Sequence, residues 1–463
     1  MAQIGVWGLG PMGQNLALNL LEHRYQVVVA NRTVENTKKF VKKNANPLLI
    51  GAANMREFIS LLNKPRVVLL MVKAGAAVDA TLEHLLSQLE PGEVIIDGGN
   101  SFFEDTNSRA EMLHSRGIHF LGAGISGGEL GARLGPSIMV GGAEEGWELA
   151  GKILEDISAK NRAGQSCCAF LGPGGAGHYT KMIHNGIEYA LMQLLAESYQ
   201  ILLAMNYPLS KIAEFFASWN RGEVSSYLLE LAVDVLQKQD PDTGKPLLPQ
   251  ILDQVGSKGT GAWTVNQSMA QEIATPAISE AVYFRQLSLK GADRARAGAL
   301  FPEKINPPQM LEPQILEASL LCGMLLAFAQ GFALLGDAKD RYSWPLKLAR
   351  IAEIWQAGCI IRAGLLEKLD DLEVVSNLIF TRYGSQVLEK SQTQLRSTVL
   401  WALEHGLPIP ALASCLTYFD TYRTETLPAN LLAALRDHFG AHTFRRIDKH
   451  GDFHVRWRDA HDL

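Results

Sequence analysis

Lys181, His184, Asn185, Glu188 and Tyr189 gather an amine, an imidazole, an amide, a carboxyl and a phenol into one short stretch, KMIHNGIEY. On an α-helix, at about 100° per residue, these five side chains fall within one arc of about 140°. Ile183, Ile187, Ala190, Leu191, Leu194 and Leu195 gather on the other side. A face built only to be wetted is rich in Lys, Glu, Gln and Arg, whereas this one pairs a base and an acid with neutral hydrogen-bonding groups. The chemistry such a set supports is proton transfer. An amine kept neutral by poor solvation accepts a proton, and a carboxyl kept protonated by the same surroundings returns one. The run over residues 177–203 predicts a single long amphipathic helix, with one face for packing and the other for chemistry.

Such a helix needs a body to hold it. With 463 residues the chain can bury a large core, and at about 150 residues per domain two or three domains are expected. A formal net charge of -5 argues against a nucleic-acid footprint, so no nucleic-acid partner is expected. The five cysteines, Cys167, Cys168, Cys322, Cys359 and Cys415, lack C-x-x-C spacing, which predicts neither a disulfide framework nor a metal site, in a reducing compartment. The chain enters an apolar strand at once (MAQIGVWGLG) without a basic region or cleavage site, which predicts no secretory signal and a cytoplasmic location. Residues 318–336 carry no charge and nearly suffice to cross a bilayer. Ser319, Gln330 and three glycines, with no second such segment, make this a buried core helix instead, so no membrane association is expected.

Ahead of the long helix, short apolar runs (QIGVW, QVVVA, RVVLLMV) alternate with helical stretches ending near His23 and Lys43, a βαβ succession. In its first turn lies Gly8-Leu9-Gly10-Pro11-Met12-Gly13, a G-x-G-x-x-G between strand and helix. Its glycines let the backbone turn sharply and approach a pyrophosphate, whose charge then meets the helix N-terminus. The second strand ends at Asn31-Arg32-Thr33, where an NAD-binding unit often places an acid on the ribose hydroxyls. An arginine there pairs with a 2′-phosphate and stacks on adenine, which predicts NADP as cofactor. Further strands end at Val72-Lys73-Ala74 and at Asp97-Gly98-Gly99-Asn100-Ser101, where ligands of open α/β sheets collect. The glycine-dense segment from Ser126, Gly127 and Gly128 to Gly135 is either a ligand-binding loop or a purely structural one. Beyond Gly177 strand signals nearly vanish. Helical periodicity continues for about 250 residues, interrupted at KQDPDTGKPLLP and FPEKINPPQMLEP. The basic, histidine-rich LRDHFGAHTFRRIDKHGDFHVRW is less periodic and reads as a tail leaving the helical body.

Taken in order, GLGPMGQN, NRT, VKAG, DGGNS, SGGELGARLGP, KMIHNGIEY, KGTGAWT and LRDHFGAHT resemble the decarboxylating 6-phosphogluconate dehydrogenases of the long-chain, homodimeric type, over essentially the entire chain. The resemblance implies an α/β Rossmann-type dinucleotide-binding domain (residues 1–176), a large all-α domain for substrate and dimerisation (177–433) and a C-terminal tail reaching the partner subunit (434–463). It implies oxidative decarboxylation of 6-phospho-D-gluconate to D-ribulose 5-phosphate and carbon dioxide with reduction of NADP+, a step of the oxidative pentose phosphate pathway. Carried over by position, Gly8, Leu9, Gly10, Pro11, Met12 and Gly13 hold the pyrophosphate. Asn31, Arg32 and Thr33 hold the 2′-phosphate, and Val72, Lys73, Ala74 and Asn100 the remainder of the cofactor. Substrate falls to Asn100, Ser126, Gly127, Gly128, His184, Asn185, Tyr189 and Arg285, joined by Arg436 and His442 from the other subunit's tail. Lys181 becomes the general base and then the electrophile, and Glu188 the acid. At Ala262 the family pattern has a lysine that contacts the substrate phosphate. Its absence leaves Tyr189, Arg285 and Arg436, with Lys258 nearby in sequence. Two other readings stay open, a dehydrogenase of a related non-phosphorylated hydroxy acid such as gluconate and a non-catalytic NADP-binding sensor.

Overall fold

The valine- and isoleucine-rich runs near the N-terminus are apolar on both faces, the pattern of strands covered on both sides by helices. The computed structural model, which describes residues 1–302, 311–369 and 371–458, realises that pattern. Its elements run β1 (Ile4–Trp7), α1 (Pro11–Glu22), β2 (Val27–Ala30), α2 (Val34–Lys43), β3 (Leu49–Gly51), α3 (Met55–Ser60), β4 (Val67–Leu70), α4 (Ala76–Leu86), β5 (Val94–Asp97), α5 (Phe103–His114), β6 (His119–Ser126), α6 (Gly128–Leu134), β7 (Ser137–Gly142), α7 (Glu144–Ile157) and β8 (Cys168–Phe170). The strands form one sheet of order β3-β2-β1-β4-β5-β6-β7-β8, parallel except where β6 meets β7. Alternation along each strand feeds two apolar layers: Val27 and Val29 join Leu16, Leu20 and Ile96 on one face, while Val28 joins Phe58, Leu70 and Ile95 on the other.

Register decides where the loops fall. Trp7 lies opposite Ala30 and Leu70, and Leu70 opposite Asp97. Gly8, Asn31, Met71 and Gly98 therefore share one carboxyl edge, around the place where the strand order reverses between β1 and β4.

The predicted long helix is α8 (Ala176–Ala204). It is not half-wetted, as an amphipathic surface helix would be: β6, β7 and several helices cover it nearly all round. Close approach to β6 is possible because Gly124 has no side chain; a Cβ there would come within 2.3 Å of Lys181 Cβ. The helices that follow are α9 (Leu209–Trp219), α10 (Tyr227–Gln237), α11 (Thr260–Ala270), α12 (Pro276–Ser288), α13 (Gly291–Leu300), α14 (Pro313–Arg341), α15 (Leu348–Ile354), α16 (Arg382–Glu404) and α17 (Pro410–Arg423). The uncharged run over 318–336 belongs to α14, which packs against α8 and α16 with 89% of its most apolar window buried, a core helix. KQDPDTGKPLLP is a turn-rich link between α10 and α11, whereas FPEKINPPQMLEP lies largely outside the described residues. All five cysteines are buried and unpaired.

The chain divides into two compact units, Met1–Cys415 and Leu416–Leu463. Within the second, the stretch read as weakly periodic takes in the end of a helix, α18 (Ala429–Gly440), and a short hairpin of β9 (Phe444–Arg445) and β10 (Asp452–Phe453). Asp437 ties these together, accepting from Thr443 N at 3.0 Å, His454 Nδ1 at 2.8 Å and Trp457 Nε1 at 2.8 Å. Burial opposes its ionisation, but the bonds from His454 and Trp457 prevail and hold its pKa down to about 2.

Candidate active site

Lys181, His184, Asn185 and Glu188 stand at i, i+3, i+4 and i+7 of α8, and helical spacing places them in one row. Lys181 Nζ donates to Asn185 Oδ1 at 2.6 Å and lies 3.2 Å from His184 Nδ1. Beyond the imidazole, His184 Nε2 is 2.9 Å from Ser126 Oγ, at the end of β6. Glu188 Oε2 sits 3.8 Å from His184 Nδ1. The Trp355 ring meets the imidazole edge-on at 5.7 Å between centroids.

Burial sets the charge states. Lys181 is 6% exposed, and loss of solvation pulls its pKa below the usual lysine range against the opposing pull of Glu188. Desolvation pushes the Glu188 carboxyl up, with Lys181 and Arg285 resisting. Its side chain keeps 22% of its surface exposed, so a bound molecule can reach it. His184 is held well below the imidazole range by burial and then by Lys181, and it is neutral. The helix thus carries an amine and a carboxyl separated by about 10 Å of axis, the amine shifted toward its neutral form and the carboxyl toward its protonated form.

One turn along, the Arg285 guanidinium lies 3.5 Å from the Tyr189 ring centroid. The Tyr189 hydroxyl is 3.3 Å from Ser257 Oγ, which also accepts from Gly259 N at 3.2 Å. The Tyr189 ring packs on the backbone at Gly261, in the first turn of α11. A guanidinium, a phenol, a hydroxyl and a helix N-terminus converge here, a set suited to phosphate oxygens. Ala262 follows Gly261 in that turn, and exposed Lys258 adjoins Ser257. Ser257 belongs to no motif in the sequence, and its only local signal is the glycine-rich KGTG that it borders.

At the carboxyl edge of the sheet, Leu9 N donates to Asn31 Oδ1 at 3.0 Å and joins the glycine turn to the end of β2. Gly8 has φ 108°, and a Cβ there would meet Met71 O at 2.4 Å. Gly10 precedes α1, Pro11 opens it, and Met12 and Gly13 complete its first turn. Arg32 and Thr33 are exposed, and among the described residues Arg32 has no ion pair. Val72, Lys73 and Ala74 follow β4, and exposed Asn100 follows β5. The loop bearing Asn100 is shaped by buried Asp97, which accepts from Gly99 N at 3.0 Å and Ser101 Oγ at 2.6 Å. Gly127 and Gly128 lead from Ser126 into α6. An open glycine cradle and an uncommitted guanidinium at the end of β2 fit a 2′-phosphorylated dinucleotide. Arg436 and His442 belong to the second unit, on α18 and in the loop after it.

Residues 3–172 match the NAD binding domain of 6-phosphogluconate dehydrogenase, and residues 177–457 match the C-terminal domain of 6-phosphogluconate dehydrogenase. A relative from Bacillus subtilis (strain 168), the NADP(+)-dependent, decarboxylating 6-phosphogluconate dehydrogenase, is 44% identical, covering 98% of this chain and 99% of its own. The decarboxylating 6-phosphogluconate dehydrogenase of Escherichia coli (strain K12) is 42% identical, covering 99% of each. Among solved structures, Plasmodium falciparum 6-phosphogluconate dehydrogenase, described as apo and in complex with its cofactor NADP+ and its substrate 6-phosphogluconate, superposes with a TM-score of 0.95. It is 37% identical, covering 98% of this chain and 100% of that one. The chain belongs to the 6-phosphogluconate dehydrogenase family.

Proposed function

We propose that this chain catalyses the oxidative decarboxylation of 6-phosphogluconate to ribulose 5-phosphate and carbon dioxide, with NADP+ as the oxidant. The observation that carries the reading is the buried pair on α8, an amine shifted toward neutrality and a carboxyl shifted toward protonation, in a chain whose relatives bear that name. Lys181, neutral, takes the proton of the C3 hydroxyl. NADP+, when bound, accepts the hydride from C3. The protonated Lys181 then polarises the new carbonyl, so that the carboxylate β to it leaves as carbon dioxide with its electrons drawn into an enediol. Glu188 delivers a proton to C1 of that enediol. Ser126, Gly127, Gly128, His184, Asn185 and Asn100 orient the acid, and Tyr189, Arg285 and the first turn of α11 hold its phosphate.

On the cofactor side, Gly8 to Gly13 would hold the pyrophosphate, Asn31, Arg32 and Thr33 the 2′-phosphate, and Val72 to Ala74 with Asn100 the rest. A charge-assisted hydrogen bond contributes about 1.5 to 3 kcal/mol, so Arg32→Ala should weaken NADP+ binding roughly 10- to 150-fold and NAD+ binding, which loses only the adenine stacking, much less. Titration of both dinucleotides checks this, and an unmodified chain preferring NAD+ overturns it.

The test of the whole reading is a coupled assay of NADPH and carbon dioxide with 6-phosphogluconate and gluconate. The phosphorylated acid should have the higher kcat/KM, and Ala262→Lys should lower KM for it with little change in kcat. Equal efficiency on gluconate would favour a non-phosphorylated substrate. An unchanged KM in the variant would leave the phosphate with Lys258, Arg285 and Tyr189.

We further propose a cytoplasmic homodimer in which Arg436 and His442 complete the site of the other subunit; the buried, unpaired cysteines suit a reducing compartment. Equal mixing of Arg436→Ala and Lys181→Ala chains, each inactive, should restore about a quarter of the normal activity, since half the dimers are hybrids with one intact site of two. Hybrid dimers without activity would place the tail in its own subunit's site.

A further inference from the structure

His184 Nδ1 faces two atoms at 3.2 Å, Asn185 Oδ1 and Lys181 Nζ. An amide oxygen only accepts, so a bare ring nitrogen there would set lone pair against lone pair. The other ring nitrogen faces Ser126 Oγ at 2.9 Å, and that oxygen is approached by Ile360 N at 3.4 Å. With its oxygen accepting from the backbone, the serine hydroxyl is free to donate its hydrogen to a bare Nε2. The Nδ1 end therefore selects one tautomer, protonated at Nδ1 and bare at Nε2, and the Ser126 hydroxyl stabilises it by donating to Nε2.

We propose that Asn185 and Ser126, one at each ring nitrogen, act as positioning groups that fix His184 in its Nδ1-protonated tautomer, and that His184 thereby holds the Lys181 amine in the form that accepts a proton. The inference rests on Lys181 being the base. The neutral amine donates one hydrogen to Asn185 Oδ1 and turns its lone pair toward Nδ1–H. The ammonium has no lone pair, so it would set N–H against N–H in a buried site, where that repulsion is poorly screened. Other groups facing the pair do not supply the same bias. Glu188, on the same helix, favours the ammonium, and Cys359, following α15, is a thiol whose pKa burial raises to about 12. Arg285, from α12, acts on Glu188.

The pH profile of kcat/KM reads the base in the free enzyme. In Ser126→Ala the ring loses its donor at Nε2, so the preference for the Nδ1-protonated tautomer falls by that hydrogen bond and the other tautomer, whose bare Nδ1 accepts from the ammonium, becomes more populated. The acid limb should move up by about one pH unit, and Ser126→Thr, which restores the hydroxyl, should bring it back. A serine that only holds substrate would lower the plateau with the limb in place, and that result overturns the proposal. Nitrogen-15 correlation spectra of the histidine-labelled full chain, with His184 assigned by its loss in His184→Gln, decide the case even if Ser126→Ala does not turn over. A proton on Nδ1 and none on Nε2 supports the proposal; a proton on Nε2 overturns it. Should Lys181→Ala still oxidise substrate at the normal rate, the reading of the base fails, whichever tautomer the spectra report.

Discussion

Lys181→Met should lower kcat for 6-phosphogluconate by about 10²- to 10⁴-fold, the range that a positioned general base contributes, with NADP+ affinity unchanged. Methionine keeps the Cβ and Cγ that lie against Gly124 and an unbranched apolar stem of similar length, and it lacks the amine. Stability should not fall with it. The folded-state pKa of Lys181 lies below that of a solvated lysine, so between the two values the unfolded chain binds more protons and stability rises with pH. Below that window the buried amine is a net cost, which the methionine removes. A melting temperature at pH 7 equal to or above that of the unmodified chain, together with the loss of NADPH formation, separates a chemical role from a structural one. A kcat within tenfold of normal would remove the base from Lys181.

Both the legible and the hidden parts of this site have physical causes. The glycine turn at Gly8 to Gly13 was readable because its requirements are local: a positive φ, a close strand and a helix start within six residues of chain. The helix bearing Lys181 and Glu188 was readable for the same reason, since periodicity records which side chains share a face. Periodicity does not record what covers that face. Lys181 is buried because β6 brings Gly124 against it, and β6 is far away in sequence. The contacts that finish the site are of the same kind: Tyr189 to Ser257 and Ser126 to Ile360 join distant segments that have no shared local pattern. In the tail, strands of two residues are too short to show alternation, and the hairpin went unseen while the weakly periodic stretch hid part of α18.

Glu188→Gln should give a different lesion from Lys181→Met, and the difference assigns the two roles. Glutamine keeps the size and hydrogen-bonding capacity of a protonated glutamate but has no acidic proton to deliver. The first half of the reaction should survive, because Lys181 is intact. Mixing the variant with saturating NADP+ and 6-phosphogluconate should produce a burst of NADPH near one per site, followed by steady turnover about 10²- to 10⁴-fold slower than normal. Lys181→Met should give no burst at all. Linkage at Glu188 runs with the opposite sign: its folded-state pKa lies above that of a solvated carboxyl, so stability falls as pH rises between the two. Above that window the ionised carboxylate is the costly form, which glutamine never adopts, and the variant should melt no earlier than the unmodified chain at neutral pH. Normal steady-state turnover in Glu188→Gln would take the acid role from this residue, since no proton could then be coming from it. A stalled enzyme that still completes its first oxidation would leave proton delivery to C1 as the step that Glu188 serves.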